Sequence, residues 1–132
     1  MNKHISIPSR LSDIKEAVEE AIALLKRLKA EESDIFDIRL SLEEALINAI
    51  KYGNKLNEGL PVSVEISHNG NKYTLAVEDK GEGFDYKNLP DPTKEENLLK
   101  SKGRGVFLIR HLMDKVEFNE KGNRIIMTKY LK

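Results

Sequence analysis

An α+β fold, with helices covering one side of a mostly antiparallel sheet, is what this sequence predicts. Three observations carry that prediction. Several short runs alternate apolar and polar residues with period two, and glycine-containing turns join two pairs of them into hairpins. Two longer runs repeat apolar residues at helical spacing. Neither an internal repeat nor a linker interrupts the 132 residues, so residues 1–132 read as one domain with a shared core, a two-layer α/β sandwich.

The elements follow in order. Ile5 and Ile7 alternate with His4 and Ser6 until Pro8, which marks residues 4–7 as a short strand suited to a sheet edge. Ser12 or Asp13 is a candidate cap for a helix in which Ile14, Val18, Ala21, Ile22, Leu25 and Leu28 line one face to about Ala30. Ser33 and Asp34 offer caps for a second helix, which Gly53 and Asn54 can end. Val62, Val64 and Ile66, then Tyr73, Leu75 and Val77, form a hairpin around Asn69-Gly70-Asn71. Residues 86–102 are polar and contain two prolines. A third helix is expected over residues 105–113, then strands at 115–119 and 124–130 around Lys121-Gly122-Asn123.

Composition removes several functional classes. Lys plus Arg and Asp plus Glu number 22 each, so no overall basic field attracts nucleic acid or an anionic membrane. With no cysteine there is neither a disulfide nor a thiolate metal site, in keeping with a reducing cytoplasm. No apolar run approaches the roughly 20 residues of a membrane span, and the amino terminus has no signal-peptide core. A cytoplasmic domain without a processing segment is therefore expected.

Chemistry concentrates first in residues 42–54, LEEALINAIKYGN. At about 100° per residue, Glu44, Asn48, Lys51 and Lys55 share a sector roughly 60° wide. Ile38, Leu42, Ala45, Leu46, Ala49 and Ile50 gather on the opposite side as a core face. On an amphipathic helix such a polar stripe is ordinarily just a solvated face. Asn48 is the exception, because its amide competes with the backbone and makes it a mediocre mid-helix residue.

Two glycine motifs lie downstream. Asp79-Lys80-Gly81-Glu82-Gly83 follows a strand; taken alone it is a turn, but Asp79 can accept a hydrogen bond from an exocyclic amine of the kind adenine carries. Glycines at 81 and 83 leave room for a flat base against the backbone. The alternating oxygen ligands of an EF-hand are missing. Ser101-Lys102-Gly103-Arg104-Gly105-Val106 opens the third expected helix, where free N–H groups, the helix dipole and Lys102 or Arg104 suit phosphate oxygens. It matches neither a Walker loop nor a dinucleotide fingerprint, and by itself it is equally a plain helix start.

Together, Glu44-Ala45-Leu46-Ile47-Asn48-Ala49, Asp79-x-Gly81-x-Gly83 and Gly103-x-Gly105 with the following FLIRHLMDKVEF resemble the three nucleotide motifs of the GHKL, or histidine-kinase-like, ATPases. Within that superfamily nearly the whole chain resembles the small anti-sigma factor serine kinases. The resemblance implies ATP and Mg²⁺ as cofactors, with Asn48 on the metal and Glu44 orienting or deprotonating the attacking hydroxyl. It implies Asp79, Gly81 and Gly83 at the base, Gly103 and Gly105 at the phosphates, and Lys51, Lys102 and Arg104 as neutralising cations. Family members often carry Gly-Thr in the last hairpin; the pair here is Gly122-Asn123, so Asn123 takes the threonine's place at the adenine side. Residues 86–102 are the counterpart of a lid and look short for one.

The activity so implied is phosphorylation of a serine or threonine on an STAS-domain antagonist by a homodimeric anti-sigma factor that also binds a sigma factor and so regulates transcription. Two other functions fit the same residues. One is a nucleotide-dependent binding switch without transfer, in which Glu44 is dispensable. The other is an isolated histidine-kinase catalytic domain, suggested by NAIKY; against it, His4, His68 and His111 lack the context of a phosphoacceptor.

Overall fold

The computed structural model describes residues 2–83 and 101–132, with backbone alone at 101–103. Five antiparallel strands form one sheet: β1 (Asn2–Pro8), β2 (Pro61–Asn69), β3 (Lys72–Glu78), β4 (Lys115–Phe118) and β5 (Arg124–Tyr130). Their spatial order is β1-β2-β3-β5-β4, so β1 is an edge strand as Pro8 foretold. Register follows from the period of two. Val64 pairs with Val77, and Leu75 with Met127. The apolar side chains of β2, β3 and β5 thus fall on one face, where Val62, Val64, Tyr73, Leu75 and Met127 are fully buried.

That face is covered by α1 (Ile14–Arg27), α2 (Glu32–Ile47) and α3 (Ser101–Leu112). Ile22, Leu25, Ile38, Leu42, Leu46 and Ile109 are the large side chains that bury completely against the sheet. The Tyr73 hydroxyl, carried into this core from β3, donates to the Ala21 carbonyl of α1 at 3.1 Å. Tyr73→Phe should therefore lower unfolding stability by about 1 kcal/mol in urea titrations, since one buried carbonyl loses its donor while ring packing persists.

Three local expectations are corrected. Asp13 does stand at the N-cap of α1 but makes no side-chain capping bond; a short 3-10 turn, Leu11–Asp13, precedes the helix, and the Asp13 carboxylate accepts from Arg10 at 2.8 Å. Helix α2 starts before Ser33 and Asp34, with Glu31 at its N-cap. Asp34 is instead buried in the first turn and accepts the backbone N–H of Lys132 at 2.9 Å, which ties the last residues to α2. Helix α3 begins at Ser101, four residues before the expected Gly105, because the glycines do not stop helical pairing there.

A buried cation fastens the other end of α3. Lys129 of β5 donates to the Leu112 carbonyl at 2.6 Å and pairs with Asp37 of α2 at 3.0 Å. An ammonium group on the final carbonyls suits the negative end of the helix dipole. The proposed lid at 86–102 lies outside the described residues, apart from the backbone of 101 and 102.

Candidate functional site

Local geometry at the end of α2 decides where the polar stripe points. Residues Asn48–Gly53 form a wider π turn, closed by the Asn54 N–H on the Ala49 carbonyl at 2.8 Å. Each residue in a π turn rotates less about the axis than in an α-helix. The stripe drawn from α-helical spacing therefore breaks after Asn48. Lys51 and Lys55 are exposed, and Lys51 lies 5.4 Å from the Tyr52 ring centroid in a groove lined also by Ile14, Val18, Glu43 and Ile47. Lys51, expected at the nucleotide, is thus carried to the α1–α2 side of the molecule.

The same turn brings Gly53 over β3. A Cβ at Gly53 would collide with the Asp79 carboxylate, and one at Gly81 would collide with the Gly53 carbonyl. Only residues without side chains allow these two segments to close on each other. Asp79 is 8% exposed, and one of its carboxylate oxygens accepts the Gly81 N–H at 2.8 Å. Its backbone is held from the far hairpin: its N–H donates to the Asn123 carbonyl at 2.9 Å, and its carbonyl accepts the Asn123 side-chain amide at 2.8 Å.

Asn48, Gly53, Asp79, Gly83, Val106 and Asn123 line one cavity, so parts of all three sequence motifs converge there. Ala49, Val77, Phe118 and Ile125 supply apolar walls. A carboxylate among apolar walls is the lining chemistry that a ring bearing an amine calls for. Gly83 has φ of +85°, and a Cβ there would strike the Lys121 carbonyl of the opposite hairpin. Gly83→Ala should therefore cost at least about 1 kcal/mol of stability in denaturant titrations and displace the hairpin that holds Asn123.

On the α3 side, buried Gly105 stands where a Cβ would lie 2.9 Å from Glu44 Oε2 and 3.1 Å from Asn48 Nδ2. Glu44 and Asn48 therefore meet the beginning of α3, whose first N–H groups have no partner within the helix and whose dipole favours anions. Partial burial and the charge of neighbouring Glu43 push the Glu44 pKa up, and Arg104, exposed on α3, opposes them in part. Gly103 lies in the first turn of α3; the side chain of Lys102 lies outside the described residues. No cluster of three acidic, histidine or cysteine side chains that could hold a metal occurs among the described residues. A single carboxamide oxygen from Asn48 beside an anion site nevertheless fits Mg²⁺, which commonly takes one or two protein oxygens and completes its shell with phosphates and water.

Several contributors escaped the sequence reading. Gly53 and Asn54 do more than stop a helix, and nothing in residues 42–54 signals the π turn that carries Gly53 to the cavity and Asn54 beneath it. Asn119 accepts the N–H groups of Gly122 and Asn123 at 2.8 and 3.0 Å and donates to the Asn123 side-chain oxygen at 2.7 Å. An asparagine four residues before another, across a glycine turn, is the faint signal that could have found it.

A sheet backed by helices, with an acidic residue just after β3, an asparagine just after α2 and Val106 of α3 around one cavity, defines a nucleotide-binding domain of the histidine-kinase type. The family model described as "Histidine kinase-like ATPase domain" matches residues 7–129, and the chain belongs to that family. Within it the chain is similar to the proteins named Serine-protein kinase RsbW of Staphylococcus aureus strains JH9 and Newman. Each is 34% identical over 117 residues, covering 83% of this chain and 74% of the relative. Among solved structures, the crystal structure of the RsbU and RsbW domains of Rv1364c from Mycobacterium tuberculosis superposes with a TM-score of 0.68 at 17% identity. It covers 99% of this chain, which spans about a third (32%) of that longer one, and shares its fold.

Proposed function

We propose that the chain is an ATP-dependent protein serine/threonine kinase and anti-sigma factor, acting on an STAS-domain antagonist. The observation that carries this reading is the convergence of Glu44, Asn48 and Asp79 on one region, in a chain similar to serine-protein kinases. Asp79 accepts the adenine amine, with Gly83 beside it in the cavity and the Gly81 N–H on its carboxylate. Asn48 offers its amide oxygen to Mg²⁺, which when bound neutralises phosphate charge. The amino-terminal turn of α3, with Gly103, Gly105 and Arg104, receives the phosphates.

Glu44 stands one helical turn before Asn48, on the phosphate side. It accepts the proton of the incoming serine hydroxyl as that oxygen bonds to the γ-phosphorus, while the bond from phosphorus to the β-phosphate oxygen breaks and ADP leaves. A carboxylate whose pKa is raised holds that proton better than an ordinary glutamate does. Asn123 lines the base end, where its amide keeps one further donor and acceptor position beyond its bonds to Asp79 and Asn119. The protein acts in the cytoplasm as a homodimer that sequesters a sigma factor, without contacting nucleic acid or membrane; no helix among the described residues is long and apolar enough to cross a bilayer.

Incubation with an STAS-domain protein and γ-labelled ATP tests the reading. Label on a serine or threonine of the partner is the expected result. Nucleotide binding with no transfer to any such partner would instead make the domain a nucleotide-dependent switch.

A further inference from the structure

Asn54 is 2% exposed, and every polar atom of its side chain is engaged. Its oxygen accepts the Lys80 N–H at 2.7 Å. Its amide nitrogen donates to Ser9 Oγ at 2.9 Å and lies 3.1 and 3.3 Å from the Pro61 and Leu60 carbonyls. Ser9 itself donates to Leu60 at 2.6 Å. A backbone N–H on one side and carbonyls on the other fix which end of the amide is which. One side chain thus joins the exit of β1, the entry of β2 and the turn after β3.

That turn is Asp79-Lys80-Gly81, and its conformation aims the Asp79 carboxylate. Asn123 holds Asp79 itself from the opposite side, but Lys80, the middle residue of the turn, donates its N–H to Asn54. Asn54 also follows directly on Gly53, whose backbone closes over the same carboxylate. Fixing Asn54 therefore fixes the floor beneath Asp79 and the turn beyond it at once. A buried, fully paired amide is held rigidly in one orientation, which suits it to hold a binding group in place.

We propose that Asn54 is a positioning residue for base recognition, acting through Asp79 by locking the Lys80 amide; this rests on the reading of Asp79 as the group that accepts the adenine amine. Asn54 touches no ligand. It sets where the carboxylate stands before nucleotide arrives, so its loss raises the Kd for Mg-ATP without removing any nucleotide contact.

A double-mutant cycle on the full chain tests this, with Mg-ATP affinity measured by calorimetry and stability by urea titration for wild type, Asn54→Ala, Asp79→Ala and the double variant. Asn54→Ala should raise Kd about tenfold, Asp79→Ala should raise it further, and the double variant should bind no more weakly than Asp79→Ala alone. An Asn54→Ala protein that is less stable but binds with wild-type Kd, or an effect that adds in full to that of Asp79→Ala, overturns the proposal. If Asp79→Ala alone leaves Kd unchanged, the reading of the base site fails first and takes this one with it. Should Asn54→Ala not fold, amide exchange in the wild type decides. Lys80 should be protected without nucleotide, and exchange at the rate of an open turn would refute the lock.

Discussion

Asp79→Asn is expected to weaken Mg-ATP binding about 10- to 150-fold and to narrow the preference for ATP over GTP. The substitution keeps the size of the side chain, and its oxygen can still accept the Gly81 N–H that Asp79 accepts at 2.8 Å. What changes is the atom facing the base. An NH₂ group would meet the adenine amine donor to donor, in a position that is 8% exposed and so offers little water in compensation. Guanine presents a carbonyl at the corresponding ring position, and the same NH₂ could donate to it. Calorimetric titrations with both nucleotides read the two effects together. Unchanged affinity for Mg-ATP would remove Asp79 from the site.

The second large effect is on transfer. Glu44→Gln should lower label transfer to the STAS partner about 10²- to 10⁴-fold while leaving Mg-ATP affinity nearly unchanged, because the amide cannot take the serine proton but keeps the contacts around Gly105. Transfer in the wild type should rise with pH through a value above the ordinary glutamate range, since burial and Glu43 raise the pKa of Glu44. The sign for stability runs opposite to that of a salt-bridged carboxylate. With its folded pKa raised, Glu44 holds a proton in the native state that the unfolded chain has released, so stability falls as pH climbs between the two values and stays lower above them. At neutral pH the neutral glutamine should accordingly raise Tm even as it slows transfer. Wild-type transfer rates in Glu44→Gln would end the proposed role of Glu44.

How far these residues could be read from sequence depends on what set their geometry. The hairpins were legible because period-two alternation and glycine turns leave few alternatives, and Val64 and Leu75 fall on the core face as their spacing requires. The core face of the second helix was legible too, with Ile38, Leu42, Leu46 and Ile50 all fully buried. The direction of Lys51 was not legible, because α-helical spacing does not hold through residues 48–53, where the chain widens into a π turn. Asp34 misled for another reason. An aspartate near a helix start is ordinarily a cap, but this one serves the backbone of Lys132, 98 residues away, which no local pattern encodes. The bonds from Lys80 to Asn54 and from Asn123 to Asp79 likewise join elements distant in sequence, so only the folded chain brings them into view.

Calorimetric titration of the full chain with Mg-ATP and Mg-GTP, repeated for Asn48→Ala and Asp79→Asn, tests most directly that one cavity grips an adenine nucleotide at both ends. Saturable binding of Mg-ATP, at least tenfold tighter than Mg-GTP and weakened by each substitution, is the predicted result. Equal affinity for both nucleotides, or Mg-ATP binding that survives both substitutions intact, would contradict it.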